Sequence, residues 1–165
     1  MLENFLSESF LDFPDNTSHC VILYMSGCNH SCQGCHNKDL QTYRPFNITK
    51  EEVVKRLKEY CSKSQTDKLC LQGGDPLYYK NIDLTKYILS EMGKEYIICI
   101  YTGFDIDFIR KLNLKGFQYV KCGCYKQELR QESKKTDNYI QFASSNQKLY
   151  DNNLNLLSMN GIYYF

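Results

Sequence analysis

Short apolar runs alternate with amphipathic stretches along most of the chain. Cys20 to Met25, CVILYM, is an unbroken apolar run rich in β-formers that stops at Ser26-Gly27, and it predicts a buried strand. Val53, Val54, Leu57, Tyr60 and Cys61 recur at helical spacing behind Thr49 and Glu52, a capping box, so a helix is predicted over about 49–62. Its other face carries Lys50, Glu51, Lys55, Arg56, Lys58 and Glu59, a solvated side. LCLQ at 69–72 predicts a second strand, broken by GGDP at 73–76. A helix follows from about 82 to 92, with Leu84, Tyr87, Ile88 and Met92 apolar and Gly93 as its stop. YIICIY at 96–101 predicts a third strand, residues 105–112 a short helix and FQYVK at 117–121 a fourth strand. From about 125 the pattern turns irregular, with KLY and the terminal IYYF as candidate short strands.

Strand and helix in alternation are the mark of parallel β/α units. A closed eight-unit barrel takes roughly 250 residues, whereas this chain has 165. The expected fold class is therefore α/β, a partial barrel or open sheet, in one compact domain over 1–165. Such a domain buries roughly two-thirds of the surface its unfolded chain exposes. Hydrophobic residues at 42% and charged residues at 24% fit a globular chain and exclude wholesale disorder.

Charge removes further classes. Lysine and arginine exceed aspartate and glutamate by one, so no net field attracts nucleic acid or an anionic membrane. The apolar runs are too short to span a bilayer, and MLENFLSESF lacks the basic start of a secretory signal. Nine cysteines, an odd count without such a signal, point to a reducing cytoplasmic setting and a metal site rather than a disulfide framework.

That metal chemistry concentrates in SGCNHSCQGCHNK at 26–38, where Cys28, Cys32 and Cys35 are spaced CxxxCxxC. Thiolates are soft ligands suited to zinc and to iron-sulfur clusters. Structural zinc takes four protein ligands, and the loop supplies three, with His30, His36 or Cys20 as candidates for the fourth. A four-iron cluster would instead keep one iron without a cysteine, open to substrate or cofactor. The loop follows the first predicted β/α strand, at the end where parallel α/β proteins collect their ligands. Gly27 and Gly34 permit close backbone approach, and Asn29, His30 and Gln33 can donate hydrogen bonds toward a bound group.

Three later stretches add to this loop. In GGDP, Gly73 and Gly74 clear side chains from a strand end, Asp75 can accept from a cationic amine and Pro76 stiffens the exit. In YTGF, Thr102 either binds ligand or caps the next turn. SSNQ at 144–147 offers polar side chains in a late loop. Most other cysteines lie in apolar runs as small hydrophobes, and Cys122 with Cys124 forms a CxC, a second candidate metal site. A P-loop, a GxGxxG turn and a G-x-S-x-G elbow are all missing.

CNHSCQGC matches the CxxxCxxC signature of the radical S-adenosylmethionine superfamily, and GGDP resembles its GGEP-type motif, with Asp75 in the acidic position. Within that superfamily the short length, the CxGCHN ending, GGDP, YTGF and SSNQ resemble the activators of anaerobic ribonucleoside-triphosphate reductase. The resemblance covers most of the chain and implies a partial, open (β/α)6-like barrel. It implies that Cys28, Cys32 and Cys35 ligate a [4Fe-4S] cluster whose open iron chelates S-adenosyl-L-methionine. Gly73, Gly74 and Asp75 would help hold the methionine amino group. Thr102 and Gly103 would line the cofactor pocket, with Asn29, His30, Gln33 and Gly34 on the cofactor side of the loop. A flavodoxin-like donor would reduce the cluster, and the resulting radical would take a glycine Cα hydrogen from the large subunit of the reductase. No nucleic-acid or membrane partner is implied.

Three departures accompany the resemblance. FPDNTSHC at 13–20 stands where relatives carry a DGxGxR-like segment, Gly34 where many place an aromatic, and Cys122 where an acidic residue is common. The alternatives are an activator of another glycyl-radical enzyme, such as pyruvate formate-lyase, and a non-enzymatic zinc or electron-transfer module.

Overall fold

A computed structural model of the protein describes residues 2–16 and 19–165. Thr17 and Ser18, within the FPDNTSHC segment, lie outside the described residues. In chain order the strands are β1 (Leu6–Ser9), β2 (Cys20–Met25), β3 (Lys68–Gly73), β4 (Ile97–Tyr101), β5 (Tyr119–Cys122), β6 (Lys134–Lys135), β7 (Tyr139–Gln141), β8 (Lys148–Asp151) and β9 (Ile162–Tyr164). Three α-helices, α1 (Lys50–Lys63), α2 (Ile82–Met92) and α3 (Ile106–Leu112), connect β2 to β3, β3 to β4 and β4 to β5.

Six strands form one open sheet in the order β1-β2-β3-β4-β5-β8. The four central strands run parallel, and both outer strands are antiparallel to their neighbours. The fold is therefore mixed α/β. Among the described residues it has four parallel strands, fewer than the six of a (β/α)6 barrel. The reason lies in the connections: a parallel pair needs a crossover of about a dozen residues or more, usually a helix, and no α-helix joins β1 to β2 or β5 to β8.

Alternation along the strands divides the core. Val21, Leu23, Leu69, Leu71, Ile98, Ile100 and Val120 pack with Val53, Leu57, Ile88, Met92 and Ile109 of the helices. The intervening positions Cys20, Ile22, Cys70 and Cys99 form a second cluster with Phe13 on the opposite face. The segment from 125, read from sequence as irregular apart from two short strands, carries a three-stranded antiparallel sheet β6-β7-β9, while β8 extends the main sheet. These strands are two to four residues long, too short for any periodicity to announce them.

Two local signals act differently from their sequence reading. Thr49 Oγ1 accepts from Glu52 N at 3.2 Å, but the Glu52 carboxylate turns to Arg56 Nε at 2.8 Å, leaving only half of a capping box. Gly93 ends α2 in right-handed conformation, φ −65°. Glycine is needed there for space: an added Cβ would crowd the Gly116 carbonyl and lie 2.6 Å from Gly116 Cα. Replacing Gly by Ala at such a φ ordinarily stabilises by about 0.4–1 kcal/mol. Here Gly93→Ala is expected to destabilise by about 1–3 kcal/mol, read as a lower urea midpoint at unchanged slope.

Candidate metal centre

Parallel strands finish on one side of a sheet, so the turns after β2, β3, β4 and β5 gather together. Those turns contain Ser26-Gly27-Cys28, Gly74-Asp75, Thr102-Gly103 and Gly123-Cys124. Backbone bonds join the first two: Gly74 N donates to Met25 O at 2.7 Å and Asp75 N to Gly27 O at 2.8 Å. The far side of the cysteine loop is anchored by Gly27 N to Leu40 O, 2.7 Å, and Cys28 N to Gln41 O, 3.0 Å. Ser26 Oγ donates to Arg44 O and accepts from Arg44 N, both at 2.7 Å, and Asn81 Nδ2 donates to Ser26 O at 2.9 Å. A Cβ at Gly74 would lie 2.5 Å from Leu40 O and 2.6 Å from Gly27 O, so this glycine is what lets the two turns approach.

Asp75 is the centre of that arrangement and is 0% exposed. Its Oδ1 accepts from Leu77 N at 2.8 Å and Thr102 Oγ1 at 2.8 Å; its Oδ2 accepts from Gly103 N at 2.9 Å and lies 2.8 Å from His30 Nε2. One carboxylate thus joins the cysteine loop, the end of β3 and the end of β4. The His30 ring also packs edge-on against Phe104, centroids 4.5 Å apart. Thr102, read from sequence as ligand or cap, caps the next turn: its hydroxyl accepts from Phe104 N at 3.2 Å and donates to the Asp75 carboxylate.

Cys28, Cys32 and Cys35 are half-buried, unbridged thiols that line one cavity with His30, Gly73, Gly74, Thr102 and Gly103. Burial pushes the Cys28 thiol above its ordinary pKa, so metal uptake there releases a proton and is favoured as pH rises. Zinc at about 2.3 Å from each tetrahedral thiolate requires sulfurs about 3.8 Å apart. Among the described residues the three loop thiols form no set lying wholly within 4.8 Å; the set that does is Cys28, His30 and Asp75. In that set Asp75 already has its oxygens occupied by internal donors. The three loop thiols on one cavity leave a closed tetrahedral zinc one ligand short within the loop, whereas a four-iron cluster held by them keeps one iron open.

The remaining sequence candidates divide. Asn29 and Gln33 are exposed and lie outside the cavity, because the loop turns at Ser31, φ +53°, and presents them to solvent. Gly34 faces Gln127 and Tyr125, whose atoms occupy the space a side chain would take. Asn37 Nδ2 instead reaches Gly73 O at 3.2 Å. Cys122 and Cys124 do not form a paired site: Cys122 belongs to the helix-side core and Cys124 lines the cavity. Burial, and next the neighbouring Cys32, push the Cys124 thiol up to about 12.

Sequence reading missed Gln72, Tyr101 and Lys121 as cavity residues. The Lys121 ammonium sits over the Tyr101 ring, 4.1 Å from its centroid, and burial lowers its pKa. The signal that finds these residues is register. Tyr101 pairs with Lys121 across β4 and β5, and alternation then turns both to the face opposite the helices.

The family of the 4Fe-4S single cluster domain matches residues 18–150. The anaerobic ribonucleoside-triphosphate reductase-activating protein of Enterobacteria phage T4 is 31% identical over 145 residues, covering 86% of this chain and 89% of that protein. Proteins of the same description from Escherichia coli K12 and Haemophilus influenzae are 34% and 27% identical, each across 59% of this chain. These matches span 65% and 66% of the two bacterial proteins, just under two thirds. No solved structure matches the chain. Among the described residues no helix is long and apolar enough to cross a membrane.

Proposed function

Since this chain belongs to the 4Fe-4S single cluster domain family and is homologous to reductase-activating proteins, we propose that it is a glycyl-radical activase of anaerobic ribonucleoside-triphosphate reductase. Cys28, Cys32 and Cys35 hold a [4Fe-4S] cluster with one iron left for S-adenosyl-L-methionine. When bound, the cluster and cofactor supply the radical chemistry: one electron cleaves the sulfonium to methionine and a 5'-deoxyadenosyl radical, which takes a glycine Cα hydrogen from the reductase.

The chain's own part is placement. Gly73 and Gly74 present backbone rather than side chains to the cavity, giving the methionine end of the cofactor a close seat beside the thiols. Thr102 and Gly103 close the adjoining wall. Asp75 acts from behind that wall as a positioning residue, because both its oxygens are engaged and it is buried. The electron comes from a flavodoxin-like donor in the cytoplasm. The observation that carries this reading is the placement of three thiols on the same cavity as the glycine-lined ends of β3 and β4.

The test is anaerobic reconstitution and reduction, followed by electron paramagnetic resonance with and without S-adenosyl-L-methionine and the cognate reductase. A cluster signal altered by the cofactor, followed by a glycyl doublet on the reductase, is expected. A cofactor-responsive cluster without the doublet would remove this partner, and a colourless protein containing one zinc would remove the activase reading altogether.

A further inference from the structure

A fourth thiol faces the cavity of the three loop cysteines. Gly123, φ +105°, turns the chain as it leaves β5, so that Cys122 stays in the core at 3% exposure while Cys124 reaches the cavity wall. Two side chains of the SSNQ stretch hold this turn: Asn146 Nδ2 donates to Cys124 O at 2.8 Å and Gln147 Nε2 to Gly123 O at 3.4 Å. The Cys124 thiol donates to Gly103 O at 3.3 Å. Cys28, Cys32 and Cys35 line the same cavity.

This placement differs from that of the other cysteines outside the loop. Cys20, Cys70 and Cys99 pack together in the apolar cluster under Phe13, and Cys61 and Cys122 pack in the main core, all as small hydrophobes. Cys124 instead shares a cavity with every thiol of the CxxxCxxC loop. Four-iron clusters are ordinarily held by four cysteine thiolates, and the loop provides three.

We propose that Cys124 is the fourth protein ligand of the cluster while the cofactor is absent, and that S-adenosyl-L-methionine displaces it; this rests on the activase reading above. On ligation the thiol loses its proton to solvent as the sulfur-iron bond forms. On displacement that bond breaks, the sulfur regains a proton from solvent, and the hydrogen bond to the Gly103 carbonyl returns. No electron is transferred in either direction. The resting cluster then has no exposed iron, and the cofactor opens the site it uses.

The experiment compares the reconstituted full chain with Cys124→Ala and Cys124→Ser. Each is treated with limiting ferricyanide without cofactor and read by electron paramagnetic resonance and by iron and sulfide analysis. The wild-type chain is expected to keep its four-iron cluster, whereas Cys124→Ala loses an iron and gives the [3Fe-4S] signal. Alkylation mapped by mass spectrometry provides a second readout: Cys124 of the wild type is expected to be protected in the holoprotein and released by adding cofactor. Equal [3Fe-4S] signals in wild type and Cys124→Ala, or equal alkylation with and without cofactor, would overturn the assignment. If no form takes up iron and sulfide, the activase reading itself fails and takes this assignment with it.

Discussion

Cys32→Ala is expected to lose the iron-sulfur absorption of the reconstituted protein together with cleavage of S-adenosyl-L-methionine. Removing an outer-shell partner of a metal ligand typically costs about 10–100-fold in affinity or activity, and removing a ligand should exceed that. Cys32 has no apolar packing role that would confuse the result: it is half-buried and lines the cavity beside Cys28 and Cys35. The comparison is Cys61→Ala, a substitution in the core against α1. That variant should lower stability while keeping its iron. The measurement is iron and sulfide content, visible absorption and single-turnover release of methionine. Full iron content in Cys32→Ala, kept when Cys124 is replaced by alanine as well, would show that the loop does not hold the cluster.

Asp75→Ala is expected to destabilise the metal-free chain by about 3–5 kcal/mol, since several donors lose one acceptor at about 1–3 kcal/mol for each that is buried. The cause is the set of groups left behind. Leu77 N and the Thr102 hydroxyl lose a fully buried acceptor, and Gly103 N and the His30 ring lose a part-buried one beside the cavity, and a buried donor left unsatisfied costs about 1–3 kcal/mol. For a domain of this size the melting temperature should fall by on the order of 10 °C. Asp75→Asn should lie between, because its one remaining oxygen satisfies some donors while its amide meets others head-on. The functional consequence runs through geometry: without Asp75 the cysteine loop loses its tie through His30, and cluster uptake should weaken alongside stability. A melting temperature within about 2 °C of wild type would contradict the hub role.

Both predictions depend on features that differ in how openly the chain displays them. The cysteine spacing, the apolar run of β2 and the amphipathic repeat of α1 are local, and they forecast the strand, loop and helix almost to the residue. The apolar runs of β3 and β4 behave alike, since a buried parallel strand is shielded on both faces and reads as continuous hydrophobicity, whereas β5 alternates, with Val120 and Cys122 buried on either side of Lys121. β1 offers no such run. Its four residues, LSES, contain one apolar side chain, and it becomes a strand because Leu6–Ser9 pair with Cys20–Leu23 from the far side of a loop.

The same distinction governs the site. Sequence alone determined that three soft ligands follow the first parallel strand and that glycine-rich turns follow the next two, because spacing, composition and strand order are properties of neighbouring residues. Only the tertiary structure decided what the side chains of those turns do. Asp75 stands in its motif as a free acceptor for a ligand amine, yet it is consumed by donors from positions 30, 77, 102 and 103. Cys122 and Cys124 stand as a pair, yet the turn at Gly123 sends one into the core and the other to the thiols. In both cases the deciding partners are brought together by sheet formation from distant parts of the chain, and a buried polar group or a thiol takes its role from those partners rather than from its neighbours in sequence.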